Sequence, residues 1–139
     1  MTLPRFSFWS LLSVCGFGGS LALLAVASSL DPDERGFGTH EQLGLNPCTS
    51  MALTGQPCMS CGMTTAFAAL LHAQPQRAVA ANPAGALLCV LTLAAPFWFG
   101  HALLRGLDPL RFLSWRSGRA LLVLVAVSAV AVWLARTFG

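Results

Sequence analysis

Cys58 and Cys61 stand three residues apart in the stretch Gln56-Pro57-Cys58-Met59-Ser60-Cys61-Gly62-Met63-Thr64, and Cys48 lies upstream. Two thiols at this spacing reach each other across one turn. They can close a small disulfide, act as a redox pair, or supply half of a tetrahedral metal site. The chain from Met63 onward reads as a helix. The pair therefore stands at a helix start, where amide groups and the macrodipole favour a thiolate, above all at Cys61. In an oxidising compartment the default is a structural disulfide, unless a metal or close packing protects the thiols. No cofactor is expected on that reading. The alternative is a soft metal at Cys58 and Cys61, as Zn, Cu(I) or an iron–sulfur centre. Cys-Met-Ser-Cys-Gly lacks the following histidine of covalent haem attachment. Cys48 is a candidate third ligand or the disulfide partner of either thiol.

The other candidate groups carry less. Cys15 and Cys89 sit inside apolar runs and read as small packing residues. His72 shares a helix face with Cys61, but about 16 Å of helix axis separates them, too far for one ion. His101 belongs at the far end of its own helix, and His40 reaches the cysteines only if the loop that carries it folds back. The histidines are therefore expected at interfaces rather than in a cluster. Thr64 and Thr65 are expected to bond backbone groups at the helix start, and Asn82 to cap the helix that Pro83 opens. No Ser-His-Asp set, carboxylate pair, phosphate loop or metalloprotease pattern is present, and no catalytic residue is assigned.

The elements that would position these groups are membrane helices. The chain has 139 residues, of which 55% are hydrophobic and 9% charged, with mean hydropathy +0.69. A soluble domain carries about 25% charged residues, so a water-facing surface cannot be covered here. One membrane domain over 1–139 is expected. Its first charge-free run, Phe6 to Leu30, would be about 37 Å long as a helix, more than the ~30 Å hydrocarbon core. Gly16, Gly19 and Ser20 give it small residues for close helix packing. The run is too long for the core of a signal peptide, despite Arg5 before it and Ala25-Val26-Ala27 near its end. A loop over 31–82 follows, broken by Pro32, Gly36, Gly38, Pro47, Gly55, Pro57 and Gly62. Within it, Met63–Ala73 reads as a helix too short to span, with Pro75 ending it. Residues 83–104, with Pro96 as a kink, and 119–136 form the other two spans.

All eight basic residues are arginine. With the N-terminus in the cytoplasm, Arg5, Arg105, Arg111, Arg116 and Arg119 lie inside and Arg35, Arg77 and Arg136 outside, as the positive-inside rule prefers. The cysteine motif then faces outward. The fold expected is all-α and integral to the membrane: three transmembrane helices plus a short interfacial or re-entrant helix after the Cys-x-x-Cys turn. The lipid bilayer is one partner. No basic cluster or nucleic-acid motif is present, so nucleic acid is not expected.

The order Cys48, Leu53-Thr54-Gly55-Gln56-Pro57-Cys58-Met59-Ser60-Cys61-Gly62-Met63-Thr64, a short helix, then Asn82-Pro83 resembles a family of small bacterial membrane proteins known as domain of unknown function 2752. Met59 stands where proline is frequent in that pattern, and Thr65 where arginine is frequent. The resemblance implies a multi-pass protein of the bacterial inner membrane in which the Cys-x-x-Cys-Gly-Met-Thr turn matters. It implies no activity. On the sequence alone the leading function is a non-enzymatic accessory or scaffold subunit that packs against other membrane subunits or a second copy. A metal-binding or thiol-redox protein using Cys58 and Cys61 is the alternative, and a small transport component comes last.

Overall fold

The structure is a computed structural model and describes residues 8–138. Helix α1 spans Phe8–Ser28, α2 Thr49–Thr54, α3 Met63–Leu71, α4 Pro75–Ala81, α5 Pro83–Arg105 and α6 Arg116–Phe138, with 3-10 turns over Thr39–Leu43 and Pro109–Ser114. Strands are absent among the described residues. Three helices are long and apolar enough to cross a membrane: Phe8–Ser28, Pro83–Arg105 and, within α6, Gly118–Ala135. Phe6 and Ser7 of the first expected span, Arg5, and the Arg136 side chain lie outside the described residues.

The long helices are apolar around most of their circumference. Leu11, Val14, Leu21 and Leu23 of α1 are exposed, as are Val90, Phe97 and Leu104 of α5 and Val123, Leu124 and Val127 of α6. Such a pattern suits a lipid solvent, since a helix in water would turn a polar face outward. α1 and α5 pack against each other through two reciprocal contacts. The Phe99 ring covers Gly16 so closely that a β-carbon there would lie 2.6 Å from it. The Phe17 ring lies 3.5 Å from where a β-carbon on Gly100 would stand. Of the small residues expected to pack in α1, Gly16 thus does so against α5. Gly19 has nothing within 4 Å of its would-be β-carbon, and the Ser20 hydroxyl donates back to the Phe17 carbonyl. α6 lies against α5 and the second 3-10 turn, and Trp98 Nε1 of α5 donates to the Pro109 carbonyl at 2.8 Å.

The region 31–82, expected as a loop with one short helix over Met63–Ala73, carries that helix as α3 and adds α2, α4 and a 3-10 turn. It folds into a platform of short helices against the ends of α1 and α5. α3 and α4 meet α5 through a cluster of alanines, Ala66, Ala69, Ala78, Ala81 and Ala86. Gly85 of α5 lets the Met63 backbone and Ala66 approach. Phe67 of α3 packs with Ala27 of α1 and Cys89 of α5. Small residues allow close backbone approach here where larger ones would hold the helices apart.

The expectation that Pro75 ends the short helix is corrected. α3 stops at Leu71 because Ala73 turns left-handed at φ 58°. Gln74 N–H then donates to the Ala69 carbonyl and Ala73 N–H to Leu70, which closes the helix with a Schellman motif. Pro75 instead opens α4 at its first turn, where its missing N–H costs nothing. A single residue, Asn82, ends α4 and caps α5.

Candidate metal centre

Cys48 precedes α2, while Cys58 and Cys61 flank a tight turn ahead of α3. In that turn Cys61 N–H donates to the Cys58 carbonyl at 3.0 Å, and Met63 N–H donates to Ser60. The chain enters α3 through Gly62 at φ 82°, a left-handed conformation that glycine adopts without steric cost. Space also requires glycine there. A β-carbon on Gly62 would lie 2.5 Å from the Ala81 carbonyl oxygen and 2.7 Å from that of Gly36. Three segments of chain therefore meet at this position.

The fold brings the three motif cysteines together. The sulfurs of Cys48, Cys58 and Cys61 all lie within 4.8 Å of one another, with Cys48 and Cys58 3.4 Å apart. The Ser60 hydroxyl stands 3.3 Å from the Cys58 sulfur. Cys48 and Cys58 are partly exposed and Cys61 is buried. All three line a cavity of about 370 Å³ with His40, Ser60, Met63, Thr64 and Thr65. The loop does fold back, and it sets His40 on the wall of the cavity that the cysteines line.

The electrostatics of the thiols reverse one expectation. Cys61 is not the activated thiol: burial pushes it up to about 11, and negative charge on Cys48 and Cys58 adds to that effect. Cys48 is lowered to about 7, first by the Met51 backbone N–H and then by the Cys58 thiol. The amides that favour a thiolate thus serve the upstream cysteine, which the motif spacing did not single out.

A second set of contacts fixes the wall that carries His40. Thr39 and Thr65 are buried, and their hydroxyls meet at 2.9 Å. Asp33 N–H donates to Thr39 Oγ1 at 3.0 Å. Thr65 therefore ties α3 to the 3-10 turn rather than bonding the helix-start backbone as expected. Arg35 pairs with Asp33 at 2.8 Å and Glu41 at 3.2 Å, and the guanidinium beside Asp33 holds that carboxyl below its usual range. Gln42 bonds the backbone of Asp31 in both directions. None of Thr39, Asp33 or Arg35 has a motif signal in the sequence, since each works through residues distant along the chain.

The remaining candidates have structural places. Asn82 is 1% exposed. It accepts from Gly85 N–H at 2.9 Å as the cap of α5, and its Nδ2 donates to the Cys61 carbonyl at 3.1 Å. It thus caps a spanning helix and holds the cysteine turn at once. Pro83 follows as the first helical residue. Gly55 closes α2, donating to the Met51 carbonyl. Pro57 lines a small groove beside Cys61 and Arg35. Met63 and Thr64 form a wall shared with an apolar cavity of about 490 Å³ between α1, α3 and α5. Cys89 is buried between helices as expected, whereas Cys15 is exposed on α1. His72 Nε2 lies 3.1 Å from the Ser28 carbonyl at the end of α1, and His101 is exposed towards the other end of α5.

Residues 48–95 match the sequence model of a family described as protein of unknown function, DUF2752. This is the family that the cysteine motif resembles, and the match runs from Cys48 through α3 and α4 into α5. Comparison with the curated proteins finds no match, and comparison with the solved structures finds none.

Proposed function

We propose that this chain is a membrane protein that holds a soft metal ion at Cys48, Cys58 and Cys61. The observation that carries this reading is the mutual approach of the three sulfurs within 4.8 Å. Zinc–thiolate bonds of about 2.3 Å imply sulfur–sulfur separations near 3.8 Å in a tetrahedral site. A disulfide would draw two sulfurs to about 2.05 Å and leave the third aside. Three thiolates select a soft or borderline ion such as zinc or Cu(I). The arginine distribution favours an N-terminus in the cytoplasm and the centre on the outer face of a bacterial inner membrane.

The test is metal analysis of the full chain purified in detergent under anaerobic conditions, with a thiol count beside it. One equivalent of metal is expected, and Cys48→Ser should remove as much of it as Cys58→Ser or Cys61→Ser. A metal-free protein that takes up neither zinc nor Cu(I) would overturn the reading. So would a stable disulfide between two of the three in protein isolated without reductant.

An accessory role in a larger membrane assembly is the second reading. It rests on Gly18 and Gly19, which have nothing within 4 Å of their would-be β-carbons, and on the exposed apolar surface of α6. Another helix can lie close to both. Cross-linking from Gly18→Cys in native membranes distinguishes a helix neighbour from lipid.

A further inference from the structure

The three sulfurs supply three corners of a tetrahedron, and the cavity that they line has one further strong metal-binding side chain on its wall, His40. His40 also lines the neighbouring groove with Cys48 and Cys61. Its Nε2 lies 3.2 Å from the Asn46 carbonyl oxygen. A carbonyl can only accept, so Nε2 carries the proton in this bond and the lone pair falls on Nδ1. That is the arrangement of a ligating histidine, whose distal ring nitrogen donates to a carbonyl or carboxylate and thereby fixes the tautomer. The backbone that presents His40 is itself anchored, because the adjacent Thr39 is buried against Thr65 of α3. Asn46 lies two residues before Cys48, so the same short segment supplies one thiolate and orients the imidazole.

We infer that His40 is the fourth ligand, through Nδ1, and that the centre is a closed Cys3His site for a tetrahedral divalent ion of the zinc class. This rests on the three-thiolate reading above. His40 is not among the groups whose ligand atoms lie within 4.8 Å of one another, so on metal binding the ring pivots on its Nε2–Asn46 hydrogen bond to bring Nδ1 to the ion. A Cys3His set carries a net charge of −1 with Zn(II) bound. With four protein ligands it has no open position, as in structural rather than catalytic zinc sites.

Cobalt(II) titration of the reduced full chain in detergent separates this inference from the reading beneath it. The thiolate-to-cobalt charge-transfer band reports the cysteines, and the intense visible d–d bands report four-coordinate geometry. Wild-type protein should show both. His40→Ala should keep the charge-transfer band, lose or shift the d–d bands, and bind cobalt at least tenfold more weakly. His40→Cys should restore intense d–d bands, displaced towards the pattern of four thiolates. Zinc-loaded wild type should show imidazole carbon scattering in X-ray absorption, a readout that needs no variant. Absence of a charge-transfer band in the wild type would overturn the three-thiolate reading itself. A charge-transfer band with d–d bands and affinity unchanged in His40→Ala, or zinc-loaded wild type without imidazole scattering, would overturn the assignment of His40 alone.

Discussion

Asn82 couples the membrane helix to the cysteine turn, and three substitutions separate its two tasks. Asn82→Ala removes the side-chain cap of α5, worth about 1 kcal/mol. It also takes the Nδ2 donor away from the buried Cys61 carbonyl, for about 1–3 kcal/mol more. The combined loss is roughly 2–4 kcal/mol. Asn82→Ser keeps an acceptor for Gly85 N–H but is too short to reach Cys61, so only the second part is lost. Asn82→Asp keeps the cap and sets an oxygen against the Cys61 carbonyl in a site where the native residue is 1% exposed. It should be at least as damaging as alanine at neutral pH and partly relieved in acid, where a protonated carboxyl can donate. The 3.4 Å contact from Nδ2 to the Met59 carbonyl is too long to contribute much. Unfolding of detergent-solubilised protein can be followed with a dye that fluoresces on reaction with thiols, which reads buried Cys61 and Cys89 as they emerge. The expected order of midpoints is wild type, Ser, Ala, with Asp at or below Ala at pH 7. If Asn82→Ser matched the wild type while Asn82→Ala lost only the cap, the tether to Cys61 would contribute nothing and the reasoning would fail.

Other outcomes follow from the same geometry. Gly62→Ala adds left-handed strain of about 1–2 kcal/mol to overpacking of about 1–3 kcal/mol against Ala81 and Gly36; it should lower the unfolding midpoint and the metal content together, and a neutral result would mean that the three segments do not meet there. In metal-free protein, iodoacetamide should modify Cys48 with a midpoint near its lowered value of about 7, long before Cys61, and mass spectrometry of digested samples reads the order. Burial holds the Cys61 proton to about 11 against an ordinary value of 9.0, so the unfolded chain ionises first and the metal-free fold should lose stability as pH rises from about 9 to 11; unfolding midpoints across that range test the sign. Thr39→Val leaves the buried Thr65 hydroxyl without its Thr39 partner and should cost about 1–3 kcal/mol, whereas Thr39→Ser should cost far less in the same unfolding assay. Reporter fusions after Arg35, after Arg111 and at the C-terminus should read outside, inside and outside; an inside reading after Arg35 would invert the proposed orientation.

The spanning helices were legible because one property decides them. A charge-free run either reaches across the hydrocarbon core or does not, and Asn82-Pro83 marks the start of α5 by cap and proline chemistry that is local. Of the platform only α3 was legible, for the opposite reason. Its helices are short, rich in alanine and bounded by turns that read as loop punctuation, and they exist because Ala66, Ala78 and Ala86 pack together from three elements. Pro75 reads as a stop in the sequence because a proline is compatible with the end of one helix and the first turn of the next. The left-handed turn that separates them falls on Ala73, which carries no turn signal. The cysteine pair is visible from spacing, and Cys48 stands upstream as a candidate third member. Its favoured thiolate depends on the Met51 amide and on Cys58, and the reluctance of Cys61 depends on burial; neither is written locally. His40 could join only if the loop folded back, and what folds it back is the Thr39–Thr65 pair.

The two phenylalanine–glycine contacts between α1 and α5 fix more than their separation. Phe99 sits over Gly16, and Phe17 sits beside Gly100, so each helix keys the other at two sites. Sliding one helix along the other by a turn would drive both rings into side chains instead of into gaps. The pair therefore has a locked register and meets a change in bilayer thickness by tilting as one body, at a cost of fractions of a kcal/mol per Å of mismatch. The platform at the end of α1 and the start of α5 rides on that body. Thinning or thickening the membrane should then change the tilt of that body without changing the spacing of the sulfurs.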